Sequence, residues 1–508
     1  MPETHETSWF DRWGDAVRSL GHAARALKDA ARAVAGGSVD QLAQLYGNTL
    51  DYRGPERNPV ILIPGILGTK LVEAETGRIA WGAFSGDFAD PKVPADLRLL
   101  GLRMQEGLPL ADSADGVTTS GVLDRFRFAL AGLPVQTSAY VDIIRTLSAG
   151  GFNEQTCGCY SAAEKALHDA EPEDTPIGPG AHRDAFQFPW DWRRDLTESA
   201  ESLGRFIEAR REDVRRCRRE RGEDDSGPVR FDVVAHSMGG LLARYYLMHG
   251  PHRLPEQGPV PEPTYAGAAD LDRVIVVGSP AAGSVASLVQ LVEGKKVSAT
   301  LPFYPPAVLG TMTGVYQLLP RPRLNRVYDE GGAAVDLYDP AVWEHHGWGL
   351  AGGNAAEDLR HLLPDAADDA ERRRVALDHL AKCLACARRT HEALDAPLRV
   401  PVGRDGHRPE LYLMAGDLLE TTCTLKVSGD GSLREDGTSP GDGVVTRASA
   451  LLDERIVQPP LERPLRLRSP IRWDHVTFLP GDHMGLTRHP LFVDNLLHLL
   501  LEKPRRGG

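Results

Sequence analysis

The chain has 508 residues, 42% of them apolar, and a net charge of −13 at neutral pH. That length holds one large α/β domain with insertions or more than one small domain, and the apolar share supplies a sizeable core. The acidic balance argues against a nucleic-acid partner, because phosphate binding needs a basic surface. No apolar run reaches the roughly 18 residues of a spanning helix.

The N-terminal stretch MPETHETSWFDRWGDAVRS is charged throughout and lacks the apolar core of a signal peptide. Six cysteines in so long a chain do not make a disulfide framework. A reduced, cytoplasmic protein is expected. Cys157/Cys159 and Cys383/Cys386 hint at a metal site, but the latter pair lies within the helical-looking stretch ERRRVALDHLAKCLACARRTHEAL. No metal is expected.

Residues 8–35 carry one helical stripe: Trp9, Trp13, Val17, Leu20, Ala24, Leu27, Ala31 and Val34. Arg12, Arg18, Arg25, Lys28 and Arg32 lie off it. A membrane-surface helix is one reading. A helix packed on the main domain is the plainer one, since Asp11, Asp15 and Asp29 dilute the basic face. Residues 1–54 are set apart as an N-terminal helical extension.

Val60–Ile63 then reads as a buried strand broken by Pro64-Gly65. Residues 80–137 show little periodicity and read as irregular. Residues 140–150 look helical, 184–196 like a strand running into a loop, and 198–222 like a charged helix. FDVVAHSMGG (231–240) is a valine-rich strand, a serine between His236 and two glycines, and the start of a helix. RVIVVGSPAAGS (273–284) is another buried strand. Alternating strands and helices imply a mostly parallel sheet covered on both faces. Residues 285–405 break that rhythm and are expected to form a cap or lid. LYLMAG and HVTFLP supply two further strands, and the last stretch is an amphipathic helix. The expected division is a core over 55–284, with an insertion at about 80–137, the cap over 285–405, and the core resumed over 406–508.

A strand, then small-His-Ser-x-Gly, then a helix, is the nucleophile elbow of α/β-hydrolases. The turn is tight enough that residues two before and two after the serine must be small; here they are Ala235 and Gly239. Ala235 stands where a glycine is usual. An N-cap serine is the plain alternative, but it leaves the strand end and both glycines unexplained. The Ser237 hydroxyl would be the nucleophile, and the Met238 N–H would face a developing oxyanion. A serine needs a base and an acid, which this fold supplies in the order Ser, acid, His. His483, after the final strand, is the base candidate; His475 starts the strand, and His489 and His498 lie in helix. Asp442, between two glycines, is the acid candidate, with Asp417, Asp430 and Asp436 as rivals. The loop after the first strand favours Ile66 as the second oxyanion donor. The Asp- and Gly-rich run SGDGSLREDGTSPGDG lacks EF-hand spacing, and hairpin turns explain its glycines.

In this order the chain carries NPVILIPGILGTKL, the Trp81 of RIAWGAF, PWDWRRDL, VVAHSMGGLLARYYL, VVGSPAAGS, GDGVVTRASALL and GDHMGL. Together they resemble the lecithin:cholesterol acyltransferase-like family of α/β-hydrolases, which includes phospholipid:diacylglycerol acyltransferases. The resemblance spans residues 58–486 and implies Ser237, Asp442 and His483 as a triad, strengthening Asp442 over Asp417. It also implies Trp81 in a flap that contacts lipid, Asp191-Trp192-Arg193 supporting the site, and no cofactor. The family's oxyanion loop maps onto AGLPVQTSAY, where Leu133 is the matching residue, so Leu133 competes with Ile66. The expected function is an O-acyltransferase or lipase/phospholipase-type hydrolase on lipid or other acyl-ester substrates, working through an acyl-serine. Membrane contact would be peripheral, through residues 8–35 or the lid. The alternatives are a small-ester or polyester hydrolase on the same triad, and an inactive hydrolase-fold binding protein.

Overall fold

The computed structural model describes residues 58–503, apart from 85–87, 131–132, 156–183, 297–301, 455–467 and isolated single positions. The N-terminal stripe over 8–35 and the pair Cys157/Cys159 lie outside the described residues.

A seven-stranded sheet is the frame. Its strands are β1 (Val60–Ile63), β2 (Glu154–Gln155), β3 (Ala185–Gln187), β4 (Phe231–His236), β5 (Leu271–Val277), β6 (Glu410–Gly416) and β7 (His475–Leu479). They run in the spatial order β7-β6-β5-β4-β1-β3-β2, and every pairing is parallel. The central strands β1 and β4 are buried along their whole length, which is why they read as continuous apolar runs instead of alternating ones.

Successive side chains of a strand point to opposite faces, and the core divides accordingly. Ile61, Ile63, Val233, Ala235, Val274 and Val276 pack on one face, against α2 (Leu196–Glu220) and α3 (Met238–His249). Val60, Leu62, Val234, Ile275, Tyr412 and Met414 pack on the other. That second face is covered by α1 (Val141–Ala149) and α6 (Pro490–Leu497), through Ile143, Leu147, Phe492 and Leu496. The mixed α/β architecture with a parallel sheet covered on both faces is as the alternation of elements predicts.

One detail differs from the sequence expectation. Residues 80–137 are not irregular. Thr69–Glu73 pairs with Ile79–Trp81 and Val117–Val122, and Arg125–Leu130 pairs with Leu133–Ser138. These strands are short, and Val117–Val122 alternates only weakly between part-buried and buried positions, so no clear period marks it. As the glycines of SGDGSLREDGTSPGDG predict, the run 419–441 is a hairpin, Leu419–Val427 against Leu433–Gly441. Its strand Leu419–Val427 also pairs with Val327–Asp329, tying the segment 285–405 to the second half of the core.

That segment is mostly helical. It opens with α4 (Val285–Glu293) and closes with α5 (Asp369–Asp395). Asp368 caps α5 by accepting from Glu371 N–H at 2.8 Å, while Glu371 reaches back to Ala367 N–H. Leu380, Cys383, Leu384 and Leu394 bury its inner face. Among the described residues no helix is long and apolar enough to cross a membrane.

Candidate active site

β4 ends at His236 and α3 begins at Met238. Ser237 between them takes φ 54° and ψ −125°, a left-handed conformation that a non-glycine residue holds only under surrounding constraint. The constraint is visible. Ser237 N–H donates to Val277 O at 2.8 Å, and Gly240 N–H donates to Ser237 O at 3.0 Å. The start of α3 is pressed against two neighbouring strand ends. A Cβ on Gly239 would stand 2.6 Å from both Ile63 O and Pro64 O. One on Gly240 would stand 2.7 Å from Ser279 Oγ and Val276 Cγ1.

His483 lies in the loop after β7, where the Asp482 carboxylate accepts from Met484 and Gly485 N–H at 3.2 and 2.6 Å. Its Nε2 is 3.0 Å from Ser237 Oγ, and its Nδ1 is 2.8 Å from Asp442 Oδ2. The other Asp442 oxygen accepts from Val444 and Val445 N–H, at 3.0 and 2.7 Å. Burial pushes the Asp442 carboxyl up, but His483 and the two N–H donors outweigh it and hold it below the usual carboxylate range. Asp442 fits because Gly416 ends β6; a Cβ there would come within 2.6 Å of Asp442 Cβ.

Of the rival residues, Asp417 sits 3.8 Å from Arg447, Asp436 pairs with Lys426 and Asp430 bonds Ser432 in the hairpin turn. His475 is exposed on β7, His489 caps α6, and His498 faces Glu502. The structure therefore brings Ser237, His483 and Asp442 together and leaves these six apart from the serine.

The first oxyanion candidate, Met238, opens α3, where the leading N–H groups have no intrahelical acceptor. Ile66 lies in the turn after β1, closed by Gly68 N–H to Gly65 O at 3.1 Å, with Leu67 at φ 65°. That turn abuts the serine: a Cβ on Gly65 would be 3.2 Å from Ser237 Oγ. Leu133 instead forms the closing pair of a hairpin, Leu130↔Leu133, in a separate three-stranded sheet. Nothing among the described residues links it to Ser237.

Trp81 is buried. Its Nε1 donates to Leu67 O at 2.8 Å, and its ring meets Trp192 and Tyr304 edge-on. These rings, with Leu67, Leu71, Leu309 and Met312, line a small pocket. Arg193 lines the pocket too, ion-paired to Asp191 at 2.8 Å and Asp115 at 2.7 Å. Cys383 and Cys386 lie within α5, and burial pushes the Cys383 thiol up to about 12, far from a thiolate ligand.

Sequence reasoning missed Tyr140. Its hydroxyl accepts from Gly65 N–H at 2.7 Å and donates to His236 Nδ1 at 3.0 Å. The opposite ring nitrogen of His236 donates to His483 O at 3.0 Å. Burial, then the neighbouring His483, lowers the His236 pKa to about 3, so the ring is neutral and its one proton lies on Nε2. The local signal for this chain of bonds is only the histidine preceding the serine; nothing near residue 140 announces its partner.

No protein-family model matches the chain, and no curated protein matches it. A chain in the solved structure of the Tle4–Tli4 complex is similar in fold. The TM-score is 0.51 and the identity 16%, with 87% of this chain and 98% of that one covered.

Proposed function

We propose that this protein is a serine acyl-ester enzyme of lipid-like substrates that works through an acyl-Ser237 intermediate. The observation that carries the reading is the continuous run Ser237 Oγ, His483 and Asp442, at 3.0 and 2.8 Å, on a serine at positive φ. With its Nδ1 proton directed at Asp442, His483 presents a bare Nε2 to the serine hydroxyl. His483 takes that proton as Oγ bonds to the carbonyl carbon of the ester. The resulting oxyanion is held by the Met238 and Ile66 N–H groups. Asp442 stabilises the imidazolium, which then protonates the departing alkoxide. Water or an alcohol attacks the acyl-serine by the same steps in reverse.

The side chains of Trp81, Trp192, Leu309 and Met312 line a small pocket that shares Leu67 with the oxyanion turn, and they offer an acyl chain an apolar surface. Residues 285–405 supply Leu309 and Met312, the role of a cap. Kinship with the lecithin:cholesterol acyltransferase-like family remains part of this proposal and rests on the ordered motifs. Whether water or alcohol takes the acyl group depends on how dry the closed pocket is.

The test is product analysis by mass spectrometry, with a mixed-chain phospholipid supplied with and without a long-chain alcohol. Free fatty acid or a new acyl ester that vanishes in Ser237→Ala supports the reading. Products that persist in Ser237→Ala, or turnover of short soluble esters without any lipid product, overturn it.

A further inference from the structure

Asp442 is held from beyond its own loop. One of its oxygens accepts from Val445 N–H at 2.7 Å, and the carbonyl of that same peptide group, Val444 O, accepts from the Ser284 hydroxyl at 2.7 Å. The other carboxylate oxygen meets His483 Nδ1 at 2.8 Å. Ser284 Oγ in turn accepts from Ala286 N–H at 3.2 Å, as the N-cap of α4. An unbroken series of hydrogen bonds therefore leads from the first turn of the cap segment, through Ser284 and the Val444–Val445 peptide, to Asp442, His483 and Ser237.

A peptide group is a rigid plane, so a hydrogen bond on its C=O helps to fix where its N–H points. Bonds in such a series also polarise one another, and donation to Val444 O strengthens Val445 N–H as a donor to the carboxylate. The surroundings are pinned as well. Gly443 N–H donates to Thr421 Oγ1 at 2.8 Å, on the hairpin strand Leu419–Val427. Ala282 N–H donates to Ser449 O at 3.1 Å, and Ser449 Oγ donates to Gly283 O at 2.6 Å. The turn into α4 is thereby fastened to the short helix Arg447–Leu451 that follows the acid loop. Within this set, Ser284 is the side chain that bonds both α4 and the peptide facing Asp442.

We propose that Ser284 is a positioning residue that couples the start of the cap segment to Asp442. Its one hydroxyl caps α4 and orients Val445 N–H against the carboxylate, so a shift of α4 is carried to His483. This concerns the regulation of the site read above as an ester enzyme, and it rests on that reading for its effect on turnover.

The two roles of the hydroxyl separate by substitution. Ser284→Thr keeps both the cap and the donor. Ser284→Asp keeps a cap but, ionised, has no proton to give Val444 O, and Ser284→Ala loses both. With a soluble ester, kcat is expected to fall about tenfold in Ser284→Ala and Ser284→Asp with KM nearly unchanged, and to stay within about twofold in Ser284→Thr. Parental kcat in Ser284→Asp, beside a loss in Ser284→Ala, would mean that the hydroxyl serves only to cap the helix, and overturns the proposal. Parental kcat in Ser284→Ala overturns it too. The downfield proton resonance of the His483–Asp442 hydrogen bond, identified by its absence from Asp442→Ala, gives a readout without turnover. It is expected to move in Ser284→Ala and to hold its place in Ser284→Thr; a resonance unmoved in Ser284→Ala overturns the coupling. A resonance that moves in a protein without Ser237-dependent turnover leaves the coupling standing and removes the ester-enzyme reading.

Discussion

His236 Nε2 donates to the backbone carbonyl of His483 at 3.0 Å. The residue before the candidate nucleophile thus holds the main chain of the candidate base. Through its other nitrogen it reaches Tyr140, and through Tyr140 the Gly65 N–H. One neutral hydrogen-bonded chain ties the serine strand, the His483 loop and the oxyanion turn together.

Tyr140→Phe breaks that chain at its middle. It leaves a buried N–H and a buried ring nitrogen without partners, at about 1–3 kcal/mol of stability. The turn bearing Ile66 and the loop bearing His483 both lose a tether. An approximately tenfold fall in kcat with KM nearly unchanged is expected, because only the reacting groups are displaced. Steady-state kinetics with a soluble ester and a urea titration check the two parts. A KM effect alone would mean that Tyr140 shapes the pocket and not the reacting groups.

Asp442→Asn keeps the shape but removes the charge that orients His483. An activity loss of about ten-thousand-fold is expected, with the fold retained. The same change at Asp417, which sits by Arg447, is expected to leave activity within about twofold. Measuring both variants against one ester substrate separates the candidates.

Acid should destabilise the fold well above the carboxylate range. Burial lowers His236 to about 3 and His379 to about 4, and it holds His391 well below its ordinary value. In the unfolded chain each ring takes a proton below about pH 6.5. The unfolded state therefore binds more protons between about 6.5 and 4, and stability falls as pH drops through that window. Each ring contributes up to about 1.4 kcal/mol per pH unit. Urea midpoints at pH 7, 6 and 5 should decline in order, and a flat series contradicts the neutral, buried assignment.

Gly239→Ala places a methyl 2.6 Å from the carbonyl oxygens of Ile63 and Pro64. Both are backbone atoms, so the strand end and the helix start must part. A loss of about 1–3 kcal/mol and a lower kcat are expected, read by thermal melt and ester turnover.

The elbow was legible in the sequence because everything that shapes it is local. A strand, a serine and small residues within ten positions carry the signal, and the same holds for Gly441-Asp442-Gly443 and the His483 loop. The middle of the central sheet was legible because β1, β4 and β5 are buried almost throughout and read as apolar runs rich in valine and isoleucine. Tyr140 was not, since its partners lie 75 and 96 residues away in sequence. The strands of residues 69–138 were illegible for a different reason. Their pairing depends on partners supplied by the fold, and Thr69–Glu73 and Val117–Val122 bury their residues without a clean alternation.

The most direct measurement is intact-protein and peptide mass spectrometry after treatment with an alkyl fluorophosphonate. A single adduct on the peptide carrying Ser237, absent from Ser237→Ala and strongly slowed in His483→Ala, is expected. An adduct on another residue, or equal labelling of Ser237→Ala, contradicts Ser237 as the nucleophile.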